Sequence, residues 1–194
     1  MKDEVLYKIS RPVIKVLFNF FYRPTYIGRE NIPSNGSFVL AGNHTSYLDP
    51  LLLMSSYKRT IHFLAKDSLI KGVKGLIFKH MGIIPVNRKI HDKDALSEAK
   101  RALSNNQVIG IFPEGTINRT KDVTLPFKIG AVKMVKDTDS LLVPFTITNK
   151  YKLFRKSVTI EFYKPYKVVD NLDIENNKLR SFISSELKRK KVNN

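Results

Sequence analysis

The stretch Phe38-Val39-Leu40-Ala41-Gly42-Asn43-His44-Thr45-Ser46-Tyr47-Leu48-Asp49-Pro50 changes character twice. Phe38 to Ala41 is a short, wholly apolar run, the pattern of a strand covered on both faces. Gly42 and the polar residues after it end that run. Asp49-Pro50 then suits the first turn of a helix, where proline's missing N–H costs nothing, and Leu51 to Tyr57 continues it. Strand, turn and helix follow one another outward as well. Ile61 to Ala65, Ile83 to Val86, Val108 to Phe112, Leu141 to Ile147 and Val158 to Tyr163 read as strands. Asp94 to Ser104 places Ala95, Leu96, Ala99 and Leu103 on one helical face, and Leu179, Phe182, Ile183 and Leu187 mark a final amphipathic helix. Strands separated by helices predict an α/β domain with a central mixed sheet flanked by helices.

A chain of 194 residues, 42% hydrophobic, suffices for one such domain with a sizeable core. Its 34 Lys plus Arg against 17 Asp plus Glu give a formal charge of +17. That field attracts polyanions: nucleic acid, anionic lipid headgroups or phosphorylated substrates. The dense cluster Lys188-Arg189-Lys190-Lys191 reads as a solvated tail or as adhesion to an anionic leaflet. With no cysteine, disulfides, thiolate metal sites and cysteine nucleophiles are excluded. Asp3 and Glu4 interrupt what would be a leader, and no apolar run is long enough to cross a bilayer. Association with a membrane would therefore be peripheral or monotopic.

Residues 1–24 form a separate expectation, an amphipathic N-terminal helical segment ahead of a main domain spanning 25–194. At helical periodicity Val5, Leu6, Ile9, Val13, Ile14, Val16, Leu17, Phe20 and Phe21 share one half, with Lys8, Arg11, Lys15 and Asn19 opposite and Phe18 near the boundary. Pro12 predicts either a helix start or the junction of two pieces. The apolar half fits packing on the domain or an interfacial anchor. Lys66 to Met81, where lysines and glycines interrupt an apolar series, reads as a surface helix or as a lip at a headgroup boundary.

The polar turn carries the chemistry. His44 and Asp49 are five positions apart and lie at a strand end, where α/β domains place reactive groups. They meet only if the chain turns between them, which Thr45-Ser46 and Pro50 allow. A carboxylate on imidazole fixes its tautomer and stabilises the imidazolium form, so the other ring nitrogen can take a proton from a hydroxyl. Phe112-Pro113-Glu114-Gly115-Thr116-Ile117-Asn118-Arg119 is a second strand end. There glycine admits close backbone approach, and Thr116 and Arg119 add donors for phosphate or an oxyanion. Arg88 follows Gly82 to Asn87, and Lys128 sits within Phe127-Lys128-Ile129-Gly130-Ala131. Alone, each is an ordinary surface cation.

Taken in order, these blocks resemble the glycerolipid acyltransferase superfamily, and most of all the 1-acylglycerol-3-phosphate acyltransferases. The likeness covers Phe38 to Ile147: Asn43 to Pro50, Gly82 to Arg88, Phe112 to Thr116 and Val143-Pro144-Phe145. The resemblance implies a glycerol-3-phosphate acyltransferase-like fold and transfer of a fatty acyl group from a thioester to the free hydroxyl of lysophosphatidate. It implies His44 as general base oriented by Asp49, Glu114 and Gly115 shaping the acceptor site with Thr116, and Arg88 and Lys128 on the acceptor phosphate. Ile117 departs from the pattern, because the superfamily usually has arginine there and an aliphatic side chain donates nothing to phosphate. Arg119 would supply that charge, or the acceptor would differ: glycerol 3-phosphate, another lysophospholipid or a lipid alcohol.

The implied partners are an anionic membrane surface, a lysophospholipid acceptor, and acyl-CoA or acyl carrier protein as co-substrate, with no cofactor and no metal. The implied location is the cytoplasmic face of the membrane. His62, His80 and His91 lack ligand spacing. A basic nucleic-acid-binding protein is the reading from another class, and no common recognition signature supports it.

Overall fold

The computed structural model describes residues 5–70, 81–87 and 93–192. The expectations placed on Arg88, on His80 and His91 and on most of the 66–81 stretch lie outside these residues. Seven strands form one sheet in the order β1-β7-β6-β2-β5-β3-β4. They are β1 Thr25–Ile27, β2 Phe38–Gly42, β3 Ile61–Lys66, β4 Ile84–Val86, β5 Val108–Ile111, β6 Leu141–Thr148 and β7 Thr159–Phe162. Among the described strands only β6 and β7, which have no helix between them, pair antiparallel, so the sheet is mixed. β1 is a strand that hydropathy does not announce. It is a three-residue edge strand paired to β7, and too short to show a period.

The described helices are α1 Val5–Tyr22, α2 Asp49–Ser56, α3 Lys93–Ser104, α4 Gly130–Asp137 and α5 Leu172–Val192. Alternation along β2 sorts the core into two layers. Val39 and Ala41 join Ala99, Leu103, Val132, Val135, Leu179 and Ile183 beneath α3, α4 and α5. Phe38 and Leu40 join Phe18, Leu52, Leu53, Val143, Phe145 and Phe162 beneath α1 and α2. With both faces covered, β2 is buried at every position, which explains its unbroken apolar run. Each such fully buried large side chain contributes about 1.5–3 kcal/mol. The Lys188–Lys191 cluster forms the last turns of α5, where Lys190 pairs with Glu161 and donates to Thr146, so it is not a loose tail.

α1 runs through Pro12 as one helix of 18 residues. Pro12 is exposed, so its ring has room, and the cost is the amide bond to the residue four back. Tyr7 and Phe18 are buried against the domain, and the Arg11 guanidinium donates to the Tyr57 carbonyl at 2.6 Å. The opposite arc of Val5, Ile9, Val13, Val16, Leu17 and Phe20 is exposed. Helical periodicity identified that arc, and tertiary packing turns it outward. No described helix is long and apolar enough to cross a membrane.

Candidate active site

The site stands at the carboxyl end of β2, in the middle of the sheet. Gly42 closes that strand against Phe145, and a Cβ there would lie 2.4 Å from the Phe145 carbonyl oxygen and ring, so only glycine fits. Beyond it Asn43 replaces the backbone ladder with its side chain. Its amide donates to the Ile147 carbonyl at 2.9 Å and accepts from the Ile147 amide at 2.8 Å. His44 is held through both of its own backbone groups. Its N–H donates to Glu114 Oε1 at 2.8 Å, and its carbonyl accepts from the Asn118 amide at 2.9 Å.

The turn brings His44 and Asp49 together. The imidazole Nδ1 lies 2.8 Å from Asp49 Oδ2. That same oxygen accepts the backbone amides of Thr45 at 2.6 Å and Ser46 at 2.8 Å. Oδ1 accepts the Tyr151 hydroxyl at 2.6 Å and the Thr45 hydroxyl at 3.1 Å. A carboxylate buried at the first turn of α2 and ringed by donors is an acceptor, so Nδ1 carries the imidazole proton. The imidazole stacks on Phe112 with centroids 4.1 Å apart and planes 14° apart. Held on one face and at Nδ1, the ring presents Nε2 as its free nitrogen.

Glu114 lies beneath the site as a brace. Its two carboxylate oxygens accept the His44 amide and the Leu125 amide, each at 2.8 Å, tying two loops together. Burial pushes its pKa above the usual carboxylate value, and the two N–H donors and His44 partly offset that rise. Gly115 turns with φ +70°, and the Lys128 stem covers the side where a Cβ would be, 3.0 Å from Cε. Thr116 and Arg119 are exposed on the loop beyond and make no hydrogen bond or ion pair with His44, Asp49 or Glu114. The structure thus joins His44, Asp49 and Glu114, sets Gly115 beside Lys128, and leaves Thr116 and Arg119 at the periphery.

Tyr151 is the residue that sequence reading missed. It comes from the β6–β7 connection, 102 positions from Asp49, and no local spacing links the two. Burial and the Asp49 charge beside it push its pKa up, so its hydroxyl keeps its proton and donates. A cavity of about 800 Å³ opens on His44, Asn43 and Glu114, with Lys150, Lys152, Arg155 and Lys156 along one wall. Among the described residues no group of three His, Asp or Glu side chains is placed to hold a metal ion.

The layered α/β domain thus carries an imidazole–carboxylate pair at its central strand end, opening on a cavity lined by lysine and arginine side chains. Residues 23–148 match the family model described as acyltransferase, and the chain belongs to that family. It is 33% identical over 174 residues to the 1-acyl-sn-glycerol-3-phosphate acyltransferase of Borreliella burgdorferi, covering 84% of this chain and 69% of that protein. It is 28% identical over 141 residues to the Bacillus subtilis protein of the same name, covering 72% of this chain and 69% of that one. The crystal structure of the 1-acyl-sn-glycerophosphate acyltransferase of Thermotoga maritima shares the fold. It matches with a TM-score of 0.75 at 21% identity over 96% of this chain and 78% of that one.

Proposed function

We propose that this acyltransferase moves a fatty acyl group from a thioester donor to the free hydroxyl of lysophosphatidate, giving phosphatidate. The 2.8 Å contact of Asp49 with Nδ1 of His44, a residue that lines the cavity, is the observation that carries the reading, and it leaves Nε2 as the ring nitrogen to act as base. The relatives named for the same reaction support the choice of acceptor.

In the first step the acceptor oxygen attacks the thioester carbonyl as its proton passes to Nε2. The resulting imidazolium is stabilised by Asp49, whose charge sits in the amide nest of Thr45 and Ser46. In the second step the C–S bond breaks and the imidazolium returns its proton to the departing thiolate. An ester and a free thiol remain, and His44 is again neutral. Proton transfer of this kind is worth about 10²–10⁴-fold in rate. The donor carrier is acyl-CoA or acyl carrier protein, acting as co-substrate.

Lys128, beside Gly115 at the site's edge, is assigned with Arg88 to the acceptor phosphate, and Arg119, exposed two residues beyond Ile117, would supply the charge that Ile117 lacks. The exposed apolar arc of α1 serves as an interfacial anchor, with its flanking Lys8 and Lys15 at headgroup level. The test incubates the purified protein with labelled acyl donors and a panel of acceptors: lysophosphatidate, glycerol 3-phosphate and other lysophospholipids. Labelled phosphatidate formed from lysophosphatidate is the expected product. Acylation of glycerol 3-phosphate alone would move the assignment to the other acceptor that Ile117 permits.

A further inference from the structure

The connection from β6 to β7 carries Lys150-Tyr151-Lys152-Leu153-Phe154-Arg155-Lys156. Its apolar tip does not fold inward. Leu153 is 58% exposed and Phe154 52% exposed. Phe154 is held at the C-terminal end of α1, its ring centroid 5.9 Å from Phe20 and 5.5 Å from Phe21. Its backbone amide donates to the Phe21 carbonyl. Phe154 also has φ +58°, a conformation aromatic residues rarely adopt, so its neighbours pin the tip in this place. Leu153 and Phe154 therefore extend the exposed arc of Val13, Val16, Leu17 and Phe20 into one apolar surface made from two distant parts of the chain.

The same loop has a second side. Lys150, Lys152, Arg155 and Lys156 line the cavity that reaches His44. Among the described residues none of the four has a carboxylate within ion-pair distance. Unpaired cations directly beside an exposed apolar tip match the two layers of an anionic membrane surface, phosphate above hydrocarbon.

We propose that the β6–β7 loop is a second membrane-contacting element. Leu153 and Phe154 enter the apolar edge of an anionic bilayer beside α1, and Lys150, Lys152, Arg155 and Lys156 engage lipid phosphates at the mouth of the cavity. This rests on the interfacial reading of α1 and extends it, because the loop fixes which way the cavity faces. With the mouth at phosphate level, a phosphorylated lipid reaches His44 without leaving the membrane surface. Tyr151, in the same loop, places this contact next to Asp49.

The chain contains no tryptophan, so Phe154→Trp, Leu153→Trp and Phe20→Trp each introduce a single fluorophore. Each full-length variant is mixed with vesicles of phosphatidylcholine alone or with phosphatidylglycerol, with brominated acyl chains as quencher and circular dichroism as the check on folding. All three reporters are expected to shift blue and be quenched on the anionic vesicles, and much less on the neutral ones. The combined variant Lys152→Glu, Arg155→Glu, Lys156→Glu should lower partitioning by about tenfold or more. Quenching in Phe20→Trp with both loop reporters still water-like would overturn the loop contact while leaving the α1 anchor standing. No quenching in any variant would overturn both. If the charge-reversed variant partitions normally but loses rate with a water-soluble donor, the cations serve the donor carrier and the lipid-phosphate assignment is wrong.

Discussion

Asparagine at position 49 would change the charge of the site while keeping nearly all of its shape. Its carbonyl oxygen can take the place of Oδ2, accepting from the Thr45 and Ser46 amides and facing Nδ1 of His44. Its NH₂ then meets the Tyr151 and Thr45 hydroxyls, which rotate to accept. Folding stability should fall by about 1–3 kcal/mol, the scale of losing hydrogen bonds to a charged group. The rate should fall much further, because the imidazolium that forms as the acceptor loses its proton no longer faces a carboxylate. Losing the base's contribution corresponds to a drop of about 10²–10⁴-fold in kcat, or roughly 3–5 kcal/mol. The assay compares labelled phosphatidate formation by the wild type and Asp49→Asn at saturating lysophosphatidate and acyl donor, with urea unfolding of both. A folded Asp49→Asn enzyme within about threefold of wild-type kcat would refute the assignment of His44 and Asp49 as the proton-transferring pair.

Tyr151→Phe removes one donor and leaves the backbone nest intact. It should lower kcat about ten- to a hundredfold with KM little changed, and an equal rise in KM alone would place Tyr151 in substrate binding instead. Gly42→Ala forces a methyl group against the Phe145 carbonyl and should cost about 1–3 kcal/mol in urea unfolding. A midpoint equal to that of the wild type would show that the strand end can yield. Glu114 has a raised pKa in the folded state, so folding tightens its hold on a proton. Its contribution to stability is complete below the ordinary value of 4.5 and is lost as pH rises through the higher folded value. The stability of the wild type relative to Glu114→Gln should therefore decline from about pH 4.5 upward in chemical denaturation, and an advantage that grows with pH would contradict the burial argument.

The central strands were legible because a strand covered on both faces needs an unbroken apolar run, as Phe38 to Ala41 supplies. His44 and Asp49 were legible for a local reason: a tight turn into a helix start brings positions five apart within hydrogen-bond reach. Glu114 was visible as a site residue, yet its work as a brace on the His44 amide depends on two strand ends lying side by side, which spacing along the chain does not encode. Tyr151 was invisible for the same reason, at 102 positions from the carboxylate it holds. β1 and α4 also escaped notice, the first because three edge residues have no period and the second because its short apolar face follows a loop read for its lysine.

α1 draws the division most clearly. Periodicity determined which of its residues share a face, since that follows from the helical repeat alone. Which way the face points depends on what the opposite side meets. Tyr7 and Phe18 are buried against the domain, the Arg11 guanidinium finds the Tyr57 carbonyl, and the apolar arc is left outside beside Leu153 and Phe154. Local geometry is written in neighbouring residues. Orientation is decided by partners that only the folded chain brings near.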